Sequence, residues 1–520
     1  MATTQELLAK SLERLKQLHD DGHFVIATTE LTKTDRTRLL QANYLKSVIR
    51  GWYLTSRPDE KEGDTTPWQV SWKEFVARYC ESRFGTDWYL SPEQSLHLLT
   101  GTQLPSRQIH IHARMGKNNH TPLIHEWSIF DMKASAFAPE DGQEVIEGLR
   151  VLSLPYALTQ VSESFFLHQS GAAQIALSMI TDASDLARIL LATGKTIVAA
   201  RLVGALRAIG QQDLASTLLK TLKAAGHRIV EANPFDTPPI IINPAIKRSP
   251  YVLRIHQMWA SMRGPIIEAF GAPPGMPANV DAYIADIEAR YVADAYNSLS
   301  IEGYTVTVDL IERVRAGTWN PNSEEDKKSR DTMAAKGYSL AHEEVKKTIE
   351  KILAGENAGV VLRNSFADWH LALWKPSVQA GILRPEELAG YRNGPIYIRN
   401  ADHVPPPREA VRDCMPEFFS LLQQEEHAGV RAVLGHFIFV YIHPYVDGNG
   451  RLGRFIMNAM LASGGYPWTI VPVERRNDYL ATLNEASGKS SIRPLAEFLN
   501  GLRKVQSDPN YVPKRNPKPG

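Results

Sequence analysis

Cysteine is scarce in this sequence: Cys80 and Cys414 are the two present in 520 residues, far apart and without ligand-like neighbours. That excludes a disulfide framework or a cysteine-rich zinc site as the organising device, and it fits a reducing cytoplasm. Long apolar runs are missing too. The longest charge-free runs, 164–181 and 455–473, are broken by polar residues, glycine or proline, and the apolar segment Thr196 to Gly210 is interrupted by Arg201 and Arg207, so it reads as a helix of a soluble protein, not a membrane span. The opening residues, MATTQELLAK, lack the basic region and apolar core of a signal peptide. Charge of one sign is absent as well: 58 Lys and Arg face 57 Asp and Glu, a net +1, so neither global attraction to nucleic acid nor a strongly acidic partner is expected. What remains is an ordinary globular composition, long enough for about two to four domains.

The chain opens with an amphipathic run, Glu6 to His19, in which Leu7, Leu8, Leu12, Leu15 and Leu18 recur at helical spacing. A second helical run is expected over Arg38–Val48, and IRGWYLTS after it alternates like a strand. Residues 1–95 therefore outline a winged helix-turn-helix and resemble the DNA-binding head of abortive-infection-type antitoxins. Duplex DNA is the partner that resemblance implies, through a basic face of Lys33, Arg36, Arg38 and Lys46. Residues 96–232 mix strand-like pieces (QIHIHA, LIHEWSIF) with helical ones, an α+β part ending in three short helices over 184–227. Residues 233–250 hold five prolines and read as a linker. Long amphipathic helices then dominate 251–502, an all-helical domain, and the Pro- and Lys-rich tail 503–520 is expected to be disordered. The fold class is thus mainly α, with an α+β part at the N-terminus.

The chemistry concentrates in HFIFVYIHPYVDGNGRLGRFIMNAML, His436 to Leu461, which reads as helix, tight loop, helix. A glycine-rich loop opening a helix is an anion site, because unpaired N–H groups and the helix dipole both favour phosphate. Arg451 and Arg454, three apart, share a helix face and reach the same polyphosphate. His443 stands before the loop, where an imidazole can take a proton from an incoming hydroxyl. Asp447 is a hard oxygen donor suited to magnesium bridging phosphates. The string GNGRLG also satisfies G-x-G-x-x-G, and Glu474 lies downstream. However, HPYVD intervenes between the apolar run and the first glycine, and only about 45 residues follow Glu474, too few for a dinucleotide-binding sheet.

The run His443-Pro444-Tyr445-Val446-Asp447-Gly448-Asn449-Gly450-Arg451-Leu452-Gly453-Arg454 resembles the signature of the Fic family, with tyrosine in place of the usual phenylalanine. The resemblance covers about half the chain. It implies an all-helical Fic domain over 251–502 and AMP transfer from ATP to a protein hydroxyl, with magnesium as cofactor. His443 would be the base, Asp447 the metal ligand, and Gly448 to Arg454 the ATP-binding stretch. Ile396, Tyr397, Ile398 and Arg399 resemble the family's flap, an edge hairpin beside ATP on which a target protein would dock as an added strand. Tyr479 and Ser487 match positions lining the nucleoside.

Ser298-Leu299-Ser300-Ile301-Glu302-Gly303 resembles the family's inhibitory motif. Glycine after glutamate fits a helix C-terminus, and the resemblance implies that Glu302 pairs with Arg454 and restrains the enzyme. Removal of AMP, transfer of another nucleotide, and a DNA-binding regulator with a sensor domain are the alternatives. A homo-oligomer is compatible with the sequence. His110, His112, His403 and His436 read as structural.

Overall fold

The computed structural model describes residues 3–60, 64–102, 104, 106–134, 136–239, 249–318, 330–388, 390–398, 401, 403–508 and 511. It divides into two compact units: Met1–Pro250 with Tyr397–Val404, and Tyr251–Ile396 with Pro405–Gly520.

In the first unit, helix α1 (Thr4–Asp20) starts at a capping box, in which Thr3 Oγ accepts from Glu6 N and the Glu6 carboxylate accepts from Thr3 N. Strand β1 (Val25–Ala27), a single 3₁₀ turn and helix α2 (Lys33–Gln41) follow. The helix expected over Arg38–Val48 stops at Gln41. Asn43 turns left-handed at φ 58°, and the β-branched Val48 and Ile49 belong to strand β2 (Leu45–Ile49), which pairs with β3 (Trp52–Thr55). These strands form an antiparallel sheet in the order β1-β3-β2.

Helix α3 (Thr66–Phe84) leads into a second sheet of β4 (Trp88–Leu90), β5 (Gln108–Ala113), β6 (Asn119–Pro122) and β7 (Ser128–Lys133), ordered β4-β5-β7-β6 with β5 and β7 parallel. Along β5, Ile109 and Ile111 are buried while His110 and His112 take the other face, the alternation a half-buried strand dictates. One hydrophobic cluster runs from Val25, Val48 and Leu54 through Trp68 and Phe75 to Ile109, Ile129 and Val151. The boundary expected near residue 95 is therefore no break, because α3 packs its aromatics into a core common to both sheets.

A second cluster gathers the helices from Leu154–Gln160 to Gln212–Ala224 and takes in Phe235, edge to face with Phe166. The first residues of the expected linker 233–250 are thus anchored by an aromatic side chain, and residues 240–248 lie outside the described residues.

The second unit is all helical among its described residues. Its helices Arg330–Leu353 and Ala358–Gln379 cross closely at Gly337, where a methyl group would overlap the Leu373 carbonyl oxygen. The last helix, Arg493–Gln506, runs past the expected end of this domain at 502. Gln506 is buried there because its amide accepts from Ile470 N and donates to Ile470 O. The rest of the expected tail, apart from 507, 508 and 511, lies outside the described residues. No helix among the described residues is long and apolar enough to cross a membrane.

Candidate active site

The helix Ala428–Ile442 is apolar on nearly every face and buried accordingly, so its end is fixed within the helical unit. Pro444 disfavours further helix, and His443 terminates it in a left-handed conformation, φ 51° and ψ 58°. That backbone is held by Arg392. Its Nε donates to His443 O at 2.8 Å, its Nη1 to Gly394 O at 2.9 Å, and its Nη2 to Pro406 O, while its backbone N donates to Pro444 O at 2.9 Å. Nothing in the sequence pattern singles out Arg392, because its partners are carbonyls.

His443 Nδ1 lies 3.1 Å from Val440 O. A carbonyl only accepts, so Nδ1 carries the hydrogen and Nε2 keeps its lone pair for a proton. Burial lowers the proton affinity of this imidazole. The Val440 carbonyl and the Glu302 carboxylate oppose that, but the net direction is down.

The loop after it is pinned by Asn449, whose amide accepts from Tyr445 N at 3.0 Å and donates to Tyr445 O at 2.8 Å. Tyr445 stacks on His370 with ring centroids 3.9 Å apart. Gly448, at φ 85°, sits at the cap of the helix Asn449–Ala462, a backbone shape that disfavours any side chain. Asp447 Oδ1 accepts from Gly448 N at 2.5 Å, and about half of that side chain stays open to solvent.

Arg451 and Arg454 lie on one face of this helix and are both buried. Leu452 and Gly453, expected in the ATP-binding stretch, are not brought to the loop. Leu452 is fully buried in the core, and Gly453 backs onto His436, because helical phase turns both away from the arginine face. Tyr479 is buried with its hydroxyl 2.6 Å from His436 Nε2, and Ser487 Oγ donates to Asn484 O at 3.3 Å, so both are engaged within the unit. His436 is itself fully buried, and burial pushes it down to about 3, a neutral core imidazole.

The helix Val280–Ile301 ends at Glu302 in a Schellman turn. Gly303, at φ 85°, donates to Ser300 O, and Tyr304 N donates to Leu299 O. This turn carries Glu302 onto Arg454, whose Nη2 donates to Glu302 Oε1 at 2.7 Å and to Ser298 O at 3.0 Å, while Nε donates to Ser298 Oγ at 2.9 Å. A methyl group at Gly450 would overlap Glu302 Oε1. The carboxylate therefore lies against the first turn of the helix Asn449–Ala462, where an anion is favoured. Burial acts to raise the Glu302 carboxyl, but the charge and hydrogen bond of Arg454 outweigh it and the net direction is down. The pair is ionised at neutral pH.

Flap residues Ile396, Tyr397 and Ile398 are half-buried and form no strand, whereas an edge hairpin was expected. Pro395 and the prolines at 405–407 remove donors that such a ladder needs. Arg399 lies outside the described residues. Tyr397–Val404 group with the first unit, where Gln69 Nε2 donates to Ala401 O at 2.5 Å.

The basic face expected in residues 1–95 is mostly engaged. Arg36 Nη1 donates to Thr28 O and Leu31 O, Lys46 pairs with Glu60, and Arg38 lies 3.8 Å from Asp35, while Lys33 is exposed.

His443, the half-open Asp447 carboxylate, a helix N-terminus and two arginines converge in an all-helical unit, an arrangement of N–H and cationic groups that favours an anion. Residues 366–461 match the model of the Fic/DOC family. The chain is 28% identical over 278 residues to the Protein adenylyltransferase Fic of Nematostella vectensis, covering 52% of this chain and 60% of that protein. It is 35% identical over 123 residues to the Drosophila yakuba protein of the same name, covering 23% of this chain and 24% of that one. The chain thus spans less than two thirds of the length of these relatives. Among solved structures, a fragment of Fic-1 from C. elegans is similar at a TM-score of 0.36 and 16% identity, covering 68% of this chain and 96% of that one.

Proposed function

We propose that this chain transfers AMP from ATP to a Ser, Thr or Tyr hydroxyl of a protein, itself included, and that Glu302 restrains the reaction. The observation that carries this reading is the contact of Glu302 with Arg454 over the Gly450 backbone. A carboxylate resting on an arginine and a helix N-terminus stands where a phosphate of ATP would be held. The relatives' shared name, protein adenylyltransferase, supports the choice of AMP.

In the proposed reaction, ATP displaces the carboxylate and its polyphosphate lies along the first turn of the helix Asn449–Ala462. His443 Nε2 takes the proton of the target hydroxyl as that oxygen attacks the α-phosphorus. A new phosphorus–oxygen bond forms to the target, the bond from the α-phosphorus to the bridging oxygen breaks, and pyrophosphate leaves. Arg451, Arg454 and the backbone amides offset the charge that develops.

Asp447 is the residue that would hold magnesium. Among the described residues no group of three or more His, Cys, Asp or Glu is poised to hold a metal. One half-open carboxylate nevertheless fits a magnesium ion that keeps water and phosphate oxygens as its remaining ligands. When bound, that ion neutralises phosphate charge.

Intact-mass measurement after incubation with ATP and magnesium tests the reading. Glu302→Gly should raise the yield of self-attached AMP by about tenfold or more over wild type, since a charge-assisted arginine bond no longer competes with ATP. Arg454→Ala should stay inactive with or without Glu302. Equal yields from wild type and Glu302→Gly would sink the proposal.

A further inference from the structure

Arg451 is fully buried, yet much of its hydrogen-bonding capacity is unused. Its Nη2 meets Tyr304 Oη at 3.3 Å and lies 3.5 Å from Asp447 Oδ1. Nε and Nη1 are buried with no hydrogen-bond partner among the described residues. A buried guanidinium with idle donors is unfavourable unless another interaction steadies it or a ligand completes it.

Two aromatic rings supply the first. The guanidinium carbon lies 4.6 Å from the centroid of Trp374 and 5.0 Å from that of Tyr304. Trp374 comes from the helix Ala358–Gln379 and also floors the loop, since a methyl group at Gly448 would come within 3.2 Å of its indole. An aromatic ring attracts a guanidinium through the ring's π face and offers no carboxylate oxygens to take up its N–H groups. A carboxylate in the same place would consume those donors, as Glu302 does at Arg454.

We propose that Trp374 and Tyr304 are positioning residues that hold Arg451 by cation–π contact and leave Nε and Nη1 free for the phosphates of the nucleotide. This rests on the function proposed above and adds residues outside the signature run to it. It makes the phosphate end of the site depend on an aromatic ring. The nucleoside end should be indifferent to that ring.

The test uses the full chain carrying Glu302→Gly, with and without Trp374→Leu or Trp374→Phe, and calorimetric titration with ADP and with adenosine. Trp374→Leu should weaken ADP about tenfold, leave adenosine unchanged, and raise KM for ATP in the transfer assay. Trp374→Phe should recover most of the ADP affinity, and Tyr304→Phe, which keeps the ring, should lose less than Trp374→Leu. Equal losses of ADP and adenosine affinity, or no loss of either, would overturn the assignment. A Glu302→Gly parent that binds ADP and transfers no AMP would overturn the activity while the ADP series still decides the positioning role. A parent that does not bind ADP overturns both.

Discussion

His443 is governed by competing influences at the scale of single groups. Burial, the largest, disfavours its cation, the neighbouring Arg392 adds to that, and Val440 O, Glu302 and Asp447 pull the other way. The proton acceptor must be unprotonated, so the rate rises with pH through the imidazole pKa and is lost below it. Because that pKa is lowered from 6.5, the acid limb of the rate should be centred below 6.5. In Glu302→Gly protein one raising influence is gone, which shifts the limb further to acid. A pH series of AMP incorporation by Glu302→Gly protein checks this, and a limb centred above 6.5 would contradict it. His443→Ala in that background should lower the rate about 10²–10⁴-fold with an unchanged melting temperature. At this scale much was legible, since His443, Asp447, Arg451 and Arg454 lie within one short run whose spacing dictates their meeting. Leu452 and Gly453 were carried along by that run although helical phase turns them inward. Arg392, Trp374 and Tyr304 were invisible, because carbonyl bonds and ring faces leave no periodic mark.

At the scale of elements, the close crossing of Arg330–Leu353 with Ala358–Gln379 depends on a position that has no side chain. Gly337→Ala would drive a methyl group into the Leu373 carbonyl, and backbone cannot step aside as a side chain can. The substitution should destabilise the helical unit by about 1–3 kcal/mol, read as a fall of several degrees in its melting transition. An unchanged transition would mean that the two helices separate freely. Helical periodicity identified the long helices well. It failed over Arg38–Val48, where an apolar run too short to fix its own period ended at a left-handed Asn43. At the flap the resemblance implied an edge hairpin, but proline withholds donors that such a ladder needs.

At the scale of the whole molecule, a chain of net charge +1 has little long-range pull on a polyanion. Residues 3–55 form a helix, a strand, a turn, a second helix and a hairpin. Their basic side chains serve their own unit: Arg36 closes the turn before α2, and Lys46 and Arg38 have carboxylates beside them. Binding of the full chain to duplex DNA, followed by fluorescence anisotropy at increasing salt, should therefore give a log–log slope of about one or two phosphate contacts, not the four its sequence suggests. Replacement of Lys33 by alanine should remove most of it. A slope of four or more would show that these pairs open on contact.

The Glu302–Arg454 contact joins residues 152 positions apart in one chain. A restraint built this way has an effective concentration fixed by covalent linkage, which diluting the protein does not change. On the reading proposed here, nucleotide and tethered carboxylate compete for one guanidinium. The active fraction then tracks the level of ATP and the stability of the turn at Gly303, and it does not depend on how many copies of the protein the cell holds.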